Sequence, residues 1–289
     1  MDWLLGGLTD WLRQSLIDAV MASFSGIFDE VNAQVGDIAV QVGQTPQGWN
    51  AAVFDMVRTL SETVVIPIAG MILTFVMCYE LISLVIEKNN LADFDTFNIF
   101  RWIFKTFIAV LILTNTFNIV MGVFEIGQHV VDASAGLITG SLELGDPSMT
   151  AAIEATLQSM GIGELIGVFL ETQIVRLCLS IMSVVIFIII WGRMIEIYIT
   201  VSIAPIPLSA IVNREWGGMG NNYLKSLFAL AFQGFLIMVC VAIYSVLVAG
   251  IAGADNIHAA IWGVAAYTAL LIVILMRTSN LSKSVFQAS

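Results

Sequence analysis

The stretch from Leu177 to Leu208, LCLSIMSVVIFIIIWGRMIEIYITVSIAPIPL, constrains this chain more than any other. It is apolar apart from Arg193 and Glu196, and Pro205 and Pro207 stop it. As one straight helix it would reach about 48 Å at 1.5 Å per residue, more than the about 30 Å of a bilayer's hydrocarbon core. Two crossings would need a hairpin at Gly192 to Glu196, and the second would be broken by two residues that cannot donate a backbone hydrogen bond. One crossing with a proline-broken continuation therefore competes with a hairpin, and the choice fixes the topology of the rest.

The surrounding composition belongs to a membrane. Of 289 residues, 58% are hydrophobic and 11% charged, and mean hydropathy is +0.93, whereas roughly a quarter of a soluble domain is charged. An all-α polytopic helical bundle is expected. The net charge of −11 works against tight binding to nucleic-acid phosphates or anionic headgroups, which takes clustered Lys and Arg. Cys78, Cys178 and Cys240 lie in apolar runs without metal-ligand spacing and read as small buried hydrophobes. The N-terminus lacks the basic and uninterrupted apolar regions of a signal peptide, so no cleavage is expected.

From Trp3 to Ile38 apolar residues recur every three or four positions, with Asp10, Arg13, Asp18 and Asp29 off the stripe. This is a helix that lies on a membrane surface or packs on its own protein rather than one that crosses. Thr45-Pro46 marks a second helix start, with Trp49, Val53, Met56 and Leu60 as its apolar face. Val64 to Ile86 reads as the first span and contains Glu80; Thr106 to Phe124 reads as the second. Up to Arg176 the chain then has no Lys or Arg, only acidic residues, with a short surface helix signalled by Met149, Ile153, Leu157 and Met160. Further spans are expected at about Ile174 to Trp191, Ser226 to Ile251 and Ala260 to Met276.

The positive-inside rule decides between the two readings of the central stretch. With the N-terminus outside and one crossing at 174–191, Lys88, Arg101, Lys105, Arg214, Lys225, Arg277 and Lys283 all fall inside. A second crossing at 197–212 would put the last four outside. Five spans follow, with the N-terminus out and the C-terminus cytoplasmic. The chain divides into an extracytoplasmic amphipathic region, 1–63, and a transmembrane region, 64–289, with an acidic outer loop at 128–173 and a cytoplasmic proline-broken segment at 193–225.

Motifs for chemistry are missing. No phosphate-binding loop is present, and Gly217-Gly218-Met219-Gly220, with no Lys after it, reads as a flexible turn. His129 and His258 have no second histidine at ligand spacing, and no hydrolase or metalloprotease signature occurs. No enzyme activity, cofactor or metal is expected. The ionisable residues within apolar runs are the better functional candidates, because an unpaired charge there is costly. These are Glu80, Arg193 and Glu196, with Arg193 expected to pair with Glu196 three residues on or with Glu80 across the bundle. Pro205 and Pro207 join them as the helix break, which is expected to present the following segment to other subunits.

Several segments taken in order carry a resemblance. Gln44-Thr45-Pro46-Gln47-Gly48-Trp49-Asn50, Leu60-Ser61-Glu62-Thr63 leading to Pro67, Glu87-Lys88-Asn89-Asn90, Arg193, Glu196, Ala204-Pro205-Ile206-Pro207-Leu208 and Tyr223-Leu224-Lys225 together resemble the TrbL-like membrane components of type IV secretion systems, in particular those of Gram-positive conjugative elements. The resemblance implies a structural channel subunit in the bacterial cytoplasmic membrane, a homo-oligomer that works with other secretion subunits and separate ATPases to pass DNA or protein. The acidic chain offers no basic groove for direct nucleic-acid contact. The competing reading is a secondary transporter or small-solute channel, since Pro67 and Pro205 both interrupt apolar segments.

Overall fold

The computed structural model describes residues 2–87, 96–138, 147–251 and 256–288; Lys88, Asn89, Asn90, Glu143, Asp146 and Asp255 lie outside them. Among the described residues every regular element is a helix. In order these are α1 Asp2–Val42, α2 Pro46–Trp49, α3 Ala51–Leu60, a π turn Ser61–Val65, α4 Ile66–Glu87, α5 Thr96–Thr114, α6 Thr116–Ile138, α7 Pro147–Ser159, α8 Ile162–Ser202, α9 Pro205–Ser209, α10 Gly217–Ile251 and α11 Ile257–Phe286. Five stretches are long and apolar enough to cross a membrane: Ala51–Ile86, Phe97–Thr114, Ile162–Ser209, Gly217–Ile251 and Ile257–Phe286.

The hairpin reading of the central stretch is excluded, because α8 runs unbroken through Gly192, Arg193 and Glu196. It ends where the prolines remove the next amide donors. Ala204 N–H donates to the Val201 carbonyl at 3.2 Å and Ile206 N–H to Ile203 at 3.1 Å, tighter turns than the α pattern.

The second apolar span differs from its expected place. A break at Asn115, whose Nδ2 turns back to the Leu111 carbonyl at 2.9 Å, separates α5 from α6. The apolar helix is Phe97–Thr114, so Arg101 and Lys105 lie inside a helix that was expected to begin after them. Lys105 tolerates this because its charge is matched by Glu80 on the neighbouring helix.

Packing divides the chain into two compact units, Met1–Val42 with Asp132–Ile190 and Leu236–Arg277, and Gly43–Val131 with Trp191–Phe235 and Thr278–Ser289. In the first, α1 packs along the early part of α8. Gln173 Nε2 donates to Ser23 Oγ at 2.9 Å, Ser180 Oγ to Glu30 Oε1 at 3.3 Å, and the bare face of Gly26 meets the Arg176 guanidinium. The apolar stripe of α1 is buried only from Ile17 onward; Leu8 and Trp11 are 56% and 65% exposed. Tyr244 on α10 and Thr268 on α11 share a buried hydroxyl bond of 2.8 Å. The half-exposed His258 meets the Glu171 carboxylate at 2.6 Å.

In the second unit one apolar cluster gathers Phe54, Phe117, Met194, Tyr198, Leu208 and Leu227. A smaller one joins Leu73 and Met77 of α4 to Ala109 and Leu113 of α5. The short α9 packs on both α4 and α5, with Pro205, Pro207, Leu208 and Ser209 buried. The break does end the long helix, and its two prolines are packed inside the unit. It folds them into the unit, because freed carbonyls and an apolar Ile-Pro-Leu surface are both satisfied better by protein than by lipid.

Candidate functional site

The residues singled out from sequence fall in the second unit, and local chemistry explains how each is held. The segment Gln44 to Asn50 is a packed corner. Thr45 Oγ1 accepts from Gly48 N–H at 3.0 Å and so caps α2, and Asn50 Oδ1 accepts from Val53 N–H at 3.1 Å and restarts the chain as α3. Trp49 lies edge-on to Trp191, ring centroids 4.6 Å apart, and the Tyr198 hydroxyl donates to the Pro46 carbonyl. Gln128 on α6 closes the corner by donating to the Gly43 carbonyl at 2.8 Å. Trp49 and Val53 of the expected face pack against the cluster of Phe54 and Val57, whereas Met56 and Leu60 are 61% and 46% exposed, so the packed face centres on Val53, Phe54 and Val57.

The glycines expected to form a flexible turn are instead the first turn of α10. They are required there by close approach. A Cβ at Gly220 would fall 2.7 Å from Ile211 Cβ and 2.8 Å from the Pro207 carbonyl oxygen, and one at Gly217 would fall 2.8 Å from the Ile211 oxygen. A similar crossing of α6 over α10 leaves no room at Gly127, 2.8 Å from Ala231 Cβ.

Glu80 is the hub of a polar cluster at the proline break. It accepts from Lys105 Nζ on α5 and from Asn213 Nδ2 at 3.3 Å. Asn213 was not anticipated. Its Oδ1 accepts from Glu215 and Trp216 N–H at 2.8 and 3.0 Å, so one side chain both organises the turn into α10 and ties it to Glu80. The local signal for it was present, since Asn commonly caps turns; the link to Glu80 was not.

Among the described residues Arg193 forms no salt bridge with either expected carboxylate, although the charge of Glu196 still acts on it. Glu80 is taken by Lys105 and Asn213, and Glu196 by Lys283 Nζ at 3.5 Å. Arg193 is only 7% exposed. Its Nη2 donates to the Leu230 carbonyl on α10 at 3.3 Å, and its Nε is buried without a hydrogen-bond partner. Nearby links from α10 to α11 are polar too: Gln233 Nε2 donates to Thr278 Oγ1 at 3.2 Å, and Ser282 Oγ donates to the Ala229 carbonyl. Tyr223 donates to the Thr200 carbonyl at 2.8 Å, tying α10 back to the end of α8.

The sequence pattern of the family described as TrbL/VirB6 plasmid conjugal transfer like protein matches residues 31–205. The match covers more than half the chain and takes in the corner, α4 to α8 and the first proline of the break. The chain belongs to this family. No curated protein and no solved structure matches it. Within the family match, Glu80, Arg193, Glu196 and Pro205 are all packed or bonded groups.

Burial of Arg193 makes a specific prediction. Replacing a poorly compensated buried charge with an apolar group of similar size is often neutral or stabilising, whereas truncation leaves a void. Arg193→Met should accumulate at least as well as wild type, and Arg193→Ala should accumulate less. Quantitative immunoblotting of membrane fractions compares them; Arg193→Met levels as low as those of Arg193→Ala would mean that the charge itself holds the fold.

Proposed function

We propose that this family member is a structural channel subunit of a conjugative type IV secretion machine. It works as a homo-oligomer in the bacterial cytoplasmic membrane, helping DNA or protein across, with other secretion subunits as partners and separate ATPases as the energy source. The match of residues 31–205 to a conjugal transfer family carries this reading. The five apolar helical stretches support it, as does the way its ionisable groups are spent on helix packing, which suits a scaffold rather than a catalyst. Copurification tests it: affinity isolation from native membranes should bring down other type IV secretion subunits together with an untagged copy of this chain. Isolation of the chain alone, from membranes where transfer is active, would count against it.

The orientation proposed is N-terminus outside and C-terminus cytoplasmic, since Arg214, Lys225 and Lys283 follow the last descent of α8 and α11. Ser159 and Ser284 are exposed and suit a labelling test, whereas Ser282, 1% exposed, would stay unreactive on either side. In a background without Cys78, Cys178 and Cys240, Ser159→Cys should react with an impermeant thiol reagent added to intact cells and Ser284→Cys should not. Labelling of Ser284→Cys from outside would reverse the orientation.

A further inference from the structure

We propose that a single internal water molecule binds between α8 and α10 in the second unit, accepting a hydrogen bond from Arg193 Nε–H and donating one to Gln233 Oε1. Two buried atoms call for it. Arg193 is 7% and Gln233 5% exposed, and Arg193 Nε and Gln233 Oε1 are both shut off from solvent with no hydrogen-bond partner among the described residues. Buried polar groups are rarely left in that state, because each has given up its hydrogen bonds to solvent on folding. These two are complementary, one a donor and the other an acceptor.

Their placement brings them to one gap. The guanidinium is planar, and Nε–H and an Nη2–H point the same way from one edge of it, the edge that Arg uses for paired recognition. Nη2 donates to the Leu230 carbonyl at 3.3 Å, so that edge faces α10 and Nε–H is aimed at α10 beside Leu230. Gln233 lies three residues further along α10 and hence on the same side of that helix. Side chains lean toward the start of a helix, which carries the Gln233 amide back toward the level of the Leu230 carbonyl. Its Nε2 is turned to Thr278 Oγ1 on α11 at 3.2 Å, which leaves Oε1 as the free end. Met194, Ile197, Leu227 and Leu230 belong to the apolar cluster around the contact of α8 with α10 and keep bulk solvent out.

The chemistry of the pair decides the ligand. An anion would answer Nε–H and the guanidinium charge but would meet the lone pairs of Gln233 Oε1, and a cation would suit Oε1 but be repelled by the guanidinium. A water both accepts and donates. Two polar partners place it within the range that holds buried waters. It gives Nε–H a hydrogen bond without bringing a counter-charge, so Arg193 keeps its charge among the helices. Together with the links from Gln233 to Thr278 and from Ser282 to Ala229, the water completes one polar junction that joins α8 to α10 and α11.

A structure of the purified full-length chain, at a resolution that shows ordered waters, tests this directly. One peak is expected at hydrogen-bond distance, about 2.7 to 3.2 Å, from both Arg193 Nε and Gln233 Oε1. A direct bond between those two atoms, or an empty gap, would overturn the proposal. Crystals grown with bromide in place of chloride mark any halide by its anomalous signal, and such a signal at the peak would replace the water with an anion. In detergent solution, thermal midpoints of Arg193→Met, Gln233→Leu and the double variant form a cycle. Each single change leaves the opposite atom facing a water held from one side only, whereas the double variant removes both atoms. The double variant should therefore be more stable than the sum of the two single shifts predicts. Strict additivity would mean that the two groups share no site, and would overturn the proposal without bearing on the channel reading.

Discussion

Gly220→Ala is expected to remove most of the protein from the membrane fraction, while Gly218→Ala leaves it at the wild-type level. The two residues share the first turn of α10 and differ in what stands opposite. At Gly220 a methyl group would overlap Ile211 Cβ, 2.7 Å away, and the Pro207 carbonyl oxygen, 2.8 Å away. The oxygen belongs to backbone held by α9, so no rotamer change relieves the clash. At Gly218 nothing lies within 4 Å. Overpacking of this kind costs about 1 to 3 kcal/mol or more, a large share of the about 5 to 15 kcal/mol that holds a folded protein. Steady-state abundance responds to losses of that size. Equal abundance of the two variants would mean that α9 and the start of α10 are not in the contact described.

Lys105→Ala is expected to destabilise the protein, and adding Glu80→Gln to restore most of the loss. Removing Lys105 leaves the Glu80 carboxylate, among the described residues, with Asn213 alone as a hydrogen-bond partner, in a cluster where the side chains of Lys105 and Glu80 are 24% and 20% exposed. Breaking a fully buried pair costs about 3 to 5 kcal/mol; partial exposure reduces that here to about 1 to 3 kcal/mol. Glutamine carries no charge and keeps an oxygen for the Asn213 amide. The measurement is the thermal unfolding midpoint of the purified variants in one detergent. A double variant no more stable than Lys105→Ala would show that the lysine matters by its packing and not by its charge.

These positions also mark where the sequence could be read and where it could not. Local signals were sufficient for Thr45-Pro46 and for the end of α8 at Pro205, because a cap and a missing amide act within one turn. Periodicity located α1 but could not show its contacts with α8, 150 positions away. The face of α3 was read only in part, because Met56 and Leu60 are as apolar as Phe54 and Val57 and periodicity alone does not say which of them meets the cluster. Lys105 looked like a loop charge until Glu80 was found opposite it. Arg193 resisted for a different reason: its partner is the Leu230 carbonyl, and a backbone acceptor leaves no trace in the pattern of side chains. Gly217 and Gly220 read as flexible by composition, yet what they satisfy is a close approach by Ile211 and Pro207.

The membership of the chain in a conjugal transfer family makes one measurement decisive for the account as a whole. In the bacterium that encodes it, donors with an in-frame deletion of this chain's gene can be compared with the same donors carrying the wild-type gene in trans, scoring transfer of the conjugative element to recipients. The account predicts that transfer is lost on deletion, that donor growth is unaffected and that the wild-type gene restores transfer. Transfer at the wild-type frequency from the deletion donors would contradict it.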